Sequence, residues 1–244
     1  MEGKMTVLVL ENVNTFYGKS QVLRNISFRV GNDEIVTMLG RNGAGKTTTL
    51  RSIMGLVKPT SGRIEFNGMN LTSMAPYEIP RTGIAYVPQG RGIFSDLTVH
   101  ENLLLGALGT GHSSDSIETA LSLFPILKER IGQTAGTLSG GEQQMLAVGR
   151  ALASNPKFLI MDEPTEGLMP SMVQTVLDVT KRINLSGVGV LIVEQRLEVA
   201  AKLAHQVIVM ENGSMKYQGP PRDLVQDKDL VLRHLGIKTR PQPD

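Results

Sequence analysis

Apolar and polar positions follow two different rhythms along the chain. Residues Thr6 to Val13 and Val22 to Val30 are dense in Val, Leu, Ile and Phe, with Tyr17-Gly18-Lys19 between them, and predict two strands joined by a turn. Glu34 to Leu39 predicts a third strand that runs straight into a glycine-rich loop. Beyond it, the spacing of Thr47, Thr48, Leu50, Ile53 and Met54 predicts a helix from about Gly45 to a stop at Gly55. Ile84 to Val87 predicts another short buried strand. From Val99 to about Ala153 strand signals vanish, and helical spacing takes over in Glu101–Leu108, Ser116–Leu123 and Gly140–Leu152. Strand and helix then alternate: a strand at Phe158–Met161, a helix at Ser171–Ile183, a strand at Val188–Val193, a helix at Leu197–Leu203 and a strand at Val207–Met210. Such alternation implies an α/β fold with a largely parallel sheet covered on both faces. The helical stretch, about residues 90–155, reads as an insertion in that core.

Composition narrows the picture by exclusion. An apolar share of 41% in 244 residues suits one substantial globular domain. Lys and Arg total 25 against 23 Asp and Glu, and no basic run offers a nucleic-acid footprint. There are no cysteines, so disulfides and thiolate metal sites are excluded. No stretch approaches the roughly 18 apolar residues that a spanning helix needs, and Met1-Glu2-Gly3-Lys4-Met5 lacks the apolar core of a secretory signal. The expectation is a protein made and kept in the cytoplasm; if it serves transport, other chains form the pore. The tail at 238–244 is expected to fray.

Three segments carry chemistry. Gly40-Arg41-Asn42-Gly43-Ala44-Gly45-Lys46-Thr47 matches G-x-x-x-x-G-K-[ST] at every fixed position, after a predicted strand and before a predicted helix. Its backbone N–H groups and the helix start favour phosphate oxygens, with Thr48 continuing that turn. Lys46 is expected on the β- and γ-phosphates of ATP and the Thr47 hydroxyl on Mg²⁺. Phe158-Leu159-Ile160-Met161-Asp162-Glu163 is an apolar strand ending in two carboxylates. Its position assigns Asp162 to the metal and Glu163 to general-base activation of water. An acid that merely caps the next helix is the plain alternative until the run is joined to the loop. Finally, Ser139-Gly140-Gly141-Glu142 opens a helix with an S-x-x-E capping box. Two glycines in its first turn are costly, about 1 kcal/mol each relative to alanine in a helix interior. Close backbone approach to a ligand would account for them.

Together these segments resemble the ABC ATPase family, over about residues 5 to 235. The family signature LSGGQ is represented by Leu138-Ser139-Gly140-Gly141-Glu142, with Gln143 one place later. The resemblance implies a P-loop cassette, residues 5–237, with an N-terminal antiparallel β subdomain and an inserted helical subdomain. It further implies that the signature of one subunit caps ATP held by the loop of another, in a head-to-tail dimer. Tyr17 matches the aromatic that stacks on adenine, and Gln89, in Tyr86-Val87-Pro88-Gln89-Gly90, matches the glutamine that senses Mg²⁺ and connects to the membrane subunits.

Two positions depart from the family pattern. Gln195, in Val193-Glu194-Gln195, stands where most members carry a histidine that contacts the γ-phosphate, and none of the four histidines fits that slot. Gln195 can donate a hydrogen bond but cannot relay a proton, so Glu163 is expected to act as base and Gln195 to position. Met169 stands where an aspartate is usual. The Val-Glu-Gln run and the signature resemble the second ATPase of branched-chain amino-acid importers (the LivF type). Gln89-Gly90-Arg91 and Glu163-Pro164-Thr165-Glu166-Gly167 also resemble the ATPase of urea or short-chain-amide importers (the UrtE type). The implied function is the ATP-hydrolysing motor of a bacterial importer, on the cytoplasmic face of the inner membrane. Its implied partners are two integral-membrane permease subunits, a sister ATPase or a second copy, and an extracytoplasmic solute-binding protein reached through the permease. An exporter motor and a soluble ABC ATPase are the readings of other classes. A small-molecule P-loop kinase would lack the signature helix.

Overall fold

The computed structural model describes residues 6–108 and 114–235. The N-terminal hairpin is longer than its apolar runs suggested: β1 (Thr6–Tyr17) and β2 (Ser20–Gly31) pair antiparallel through a turn at Gly18, whose φ is 58°. β3 (Ile35–Gly40) and α1 (Lys46–Ile53) follow, within a residue or two of expectation. β4 (Ser61–Phe66) and β5 (Met69–Asn70) then complete a four-stranded antiparallel sheet in the order β2-β1-β4-β5. These two strands gave no clear sequence signal, because Ile64 and Phe66 are their only buried side chains.

The second sheet has six strands in the order β10-β9-β3-β8-β7-β6. β6 (Ile84–Val87), β7 (Phe158–Asp162), β8 (Gly189–Glu194) and β9 (Gln206–Glu211) run parallel with β3. The unexpected edge strand β10 (Ser214–Gly219) is antiparallel to β9. The apolar runs are continuous because alternate residues face two different cores. Val36, Met38, Ile160, Leu191 and Val193 meet α1 and the antiparallel sheet. Leu159, Met161, Val190 and Ile192 face the helical side instead. Phe66 and Phe158 join the two sheets edge-on, with ring centroids 5.9 Å apart. Each such fully buried side chain contributes about 1.5–3 kcal/mol.

The inserted region contains α2 (Val99–Leu108), α3 (Ser114–Leu123), α4 (Pro125–Glu129) and α5 (Gly140–Ala153). α6 (Pro170–Leu185) and α7 (Leu197–Leu203) connect the later strands. α8 (Pro221–Gln226) and a π-helical turn at Val231–Leu235 were not foreseen; Leu224, Val231 and Leu235 pack on Val207 and Val209. His205 accepts a hydrogen bond from the Ile35 amide at 2.9 Å through Nδ1. The segment expected to fray, 238–244, lies outside the described residues.

Candidate active site

Parallel strands deliver their C-terminal ends to one edge of a sheet. In register, Leu39 lies beside Glu194, Val193 beside Asp162, and Met161 beside Val87. The loops after β3, β6, β7 and β8 therefore meet, and they bring together residues that are far apart in sequence: Lys46, Gln89, Glu163 and Gln195.

The loop from Gly40 to Thr47 depends on glycine at specific points. A Cβ on Gly40 would lie 2.5 Å from the Met210 carbonyl oxygen, and Gly45 has a φ of 105°. The loop borders a cavity of about 350 Å³ lined by residues 42–48 with Val22, Gln89 and Glu163. Gly40, Arg41 and Asn42 border an adjoining cavity with Gln195 and Leu235. Lys46 is buried; its Nζ donates to the carbonyls of Gly40 at 2.8 Å and Arg41 at 3.2 Å. It also lies 3.7 Å from Glu163 Oε1. Burial lowers the Lys46 pKa from its ordinary value, against the opposing pull of Glu163 and Asp162. An incoming polyanion would supply the counter-charge that this desolvated ammonium lacks.

Asp162 is buried at the end of β7, and its Oδ1 accepts from Thr47 Oγ1 at 3.3 Å. Tyr86 reaches the other oxygen at 3.4 Å. Burial raises the Asp162 pKa above the ordinary value. A divalent cation would reverse that cost by favouring the carboxylate. Among the described residues no cluster of three His, Cys, Asp or Glu forms a closed metal cage. One hydroxyl beside one carboxylate instead fits Mg²⁺ shared with phosphate oxygens.

Glu163 has a φ of 51°, in the left-handed region. This turn ends the strand while its amide still donates to the Val193 carbonyl at 2.9 Å. It presents the carboxylate to the cavity, where Oε2 accepts from Gln195 Nε2 at 2.7 Å and from Gln89 Nε2 at 3.4 Å. Gln89 also donates to Glu166 at 3.0 Å. Next to this layer stand residues whose roles no sequence motif marked: buried Glu194 and Thr165, and exposed Arg196. Thr165 Oγ1 donates to Glu194 at 2.6 Å and accepts from Arg196 at 2.7 Å. One signal was available, since Glu194 ends an apolar run just as Asp162 does.

Two groups of expected residues stand elsewhere. Ser139 and Glu142 form the anticipated capping box at the start of α5: the Ser139 amide donates to Glu142 at 2.8 Å and the Glu142 amide to Ser139 Oγ at 3.3 Å. None of Ser139, Gly140, Gly141 and Glu142 lines the cavity at Lys46. Their glycines also have a reason within the chain: a Cβ at Gly140 would meet the Arg91 guanidinium at 2.9 Å, and one at Gly141 would meet Met172 at 2.8 Å. Tyr17, 44% exposed at the end of β1, does not line that cavity either.

A phosphate loop, an acidic strand end and a glycine-opened helix on this topology define an ATP-binding cassette. The chain belongs to the ABC transporter family, whose model matches residues 23–166. It is 46% identical to the high-affinity branched-chain amino acid transport ATP-binding protein BraG of Pseudomonas aeruginosa, over 94% of this chain and 100% of that one. It is 31% identical to the lipopolysaccharide export system ATP-binding protein LptB of Haemophilus influenzae, over 95% of this chain and 98% of that one. The crystal structure of an ABC-transporter ATP-binding cassette in its ADP conformation superposes with a TM-score of 0.83 at 29% identity, covering 93% of this chain and 97% of that one. The chain is thus an ATPase cassette of a transporter. No helix among the described residues is long and apolar enough to cross a membrane.

Proposed function

We propose that this chain, acting as one cassette over residues 5–237, is the ATP-hydrolysing motor of a bacterial importer of branched-chain amino acids. The observation that carries the motor assignment is the convergence of Lys46, Thr47 and Glu163 on one cavity, with Asp162 at 3.3 Å from the Thr47 hydroxyl and Gln195 at 2.7 Å from the Glu163 carboxylate. The importer assignment is supported by 46% identity to BraG against 31% to LptB.

In this reading residues 40–48 cradle the ATP phosphates through backbone amides, and Lys46 exchanges its carbonyl partners for phosphate oxygens. Thr47, Asp162 and Gln89 would hold Mg²⁺, which would supply positive charge against the ATP phosphates. Glu163 takes a proton from the attacking water. Gln195 holds the base in place with its amide and has no proton to relay. Tyr17 stacks on adenine, and Ser139, Gly140, Gly141 and Glu142 close over ATP bound by the other subunit. That subunit is a sister ATPase or a second copy.

The chain would dock peripherally, at the membrane's cytoplasmic face, on two integral-membrane permease subunits, and a solute-binding protein would deliver substrate to them from outside. A groove of about 550 Å³ between the core and the inserted helices supports this docking; Leu56, Phe94 and Leu105 line it and are exposed. Gln89 and the Thr165-Glu166-Gly167 run favour a urea or short-chain-amide importer as the second reading. Uptake of labelled leucine and of labelled urea, in cells with and without the gene, separates the two. Loss of leucine uptake alone is the expected result, and loss of urea uptake alone would replace the amino-acid assignment. No loss of either would count against import itself.

A further inference from the structure

We propose that buried Glu194 and Thr165, with Arg196 closing over them from the exposed side, form a latch that fixes the base Glu163 and its partner Gln195 as one rigid unit. The proposal rests on the assignment of Glu163 as base. Two short loops carry the reacting edge: one runs on from Glu163 to Thr165, the other from Glu194 to Arg196. Consecutive side chains of the second loop grip the first. Glu194 takes the Thr165 hydroxyl at 2.6 Å and the Thr165 amide at 3.3 Å. Gln195 holds Glu163 at 2.7 Å. Arg196 donates to the Thr165 hydroxyl at 2.7 Å and to its carbonyl at 3.3 Å.

The Thr165 hydroxyl is the centre of this arrangement. Its single proton is committed to Glu194, so its lone pairs are free to accept from Arg196. Guanidinium, hydroxyl and carboxylate thus form one directed chain of hydrogen bonds. Thr165 and Glu194 are 2% and 3% exposed, so water cannot replace a lost partner cheaply. A buried carboxylate beside an apolar strand is costly, and burial pushes the Glu194 pKa up. Packing alone would be served better by a valine. The polar chain fixes the base two residues away, at the non-glycine left-handed turn of Glu163, where an unsupported backbone would relax.

These three are positioning residues: none of them lines the cavities beside the phosphate loop. The test is steady-state ATPase kinetics of the full chain, with Glu163→Gln as reference for the base. Glu194→Ala and Thr165→Val should each lower kcat about tenfold while KM for ATP stays within about twofold. The double variant should be no worse than either single one, since both break the same latch. Glu194→Gln keeps an acceptor for the hydroxyl and should recover most of the rate. If Glu194→Ala does not fold, the isosteric Thr165→Val decides alone. Parental kcat in Thr165→Val, an equal change in KM, or additive losses would overturn the latch. A Glu163→Gln variant at the parental rate would instead overturn the assignment of the base on which the latch rests.

Discussion

At the φ of 51° adopted by Glu163, a residue with a Cβ carries about 1–3 kcal/mol of backbone strain. That strain is held by the Val193 carbonyl and by the side chains of Gln195 and Gln89. Burial exacts a second cost at Asp162 and Glu194, whose carboxyls titrate above their ordinary range. The folded state binds these protons more tightly than the unfolded chain does. Their contribution to stability is therefore complete below the usual carboxylate pKa, about 4, and is lost as pH rises through the folded values. Glu194→Gln cannot ionise and should escape its share of that loss. Its Tm relative to the parent, without nucleotide, should climb as the pH is raised above about 4; a gap that stays flat would contradict the burial argument. The phosphate loop was legible in sequence because its glycines and Lys46 occur at fixed spacing. Arg196 and Thr165 were not, since a hydrogen bond between residues 31 apart leaves no local pattern.

At the scale of elements, the capping box of α5 anchors the signature segment. Ser139→Ala removes the acceptor of the Glu142 amide and should destabilise the chain by about 1 kcal/mol. Chemical denaturation measures this, and an unchanged midpoint would show that the cap is redundant. The half-exposed Arg130–Glu142 pair at 2.9 Å is a weak substitute. Helix and core-strand limits fell close to their apolar patterns because β3, β7 and β8 are buried along their whole length. β5 and β10 escaped notice for the opposite reason: none of their residues is fully buried. The glycines of the inserted helices were equally opaque. Gly106 lets α2 approach the Arg150 carbonyl, where a Cβ would come within 2.2 Å, and no periodicity announces such a contact.

Across the whole molecule, the separation of the two phosphate-seeking helix starts is the central fact. α1 opens at the cavity beside Lys46, whereas Ser139 and the start of α5 do not line it. In the proposed function one chain offers half of each composite site, and ATP joins two cassettes to bury both. Glu163→Gln keeps an amide where the carboxylate accepts from Gln195, but it cannot take a proton from water. Sedimentation velocity of this variant with ATP and Mg²⁺, paired with phosphate release, tests whether Glu163 is the base and whether ATP joins two cassettes. Turnover should fall by about a hundredfold or more, in a stable dimer that retains ATP. Hydrolysis at the parental rate, or a monomer with bound ATP at every concentration, would contradict these assignments.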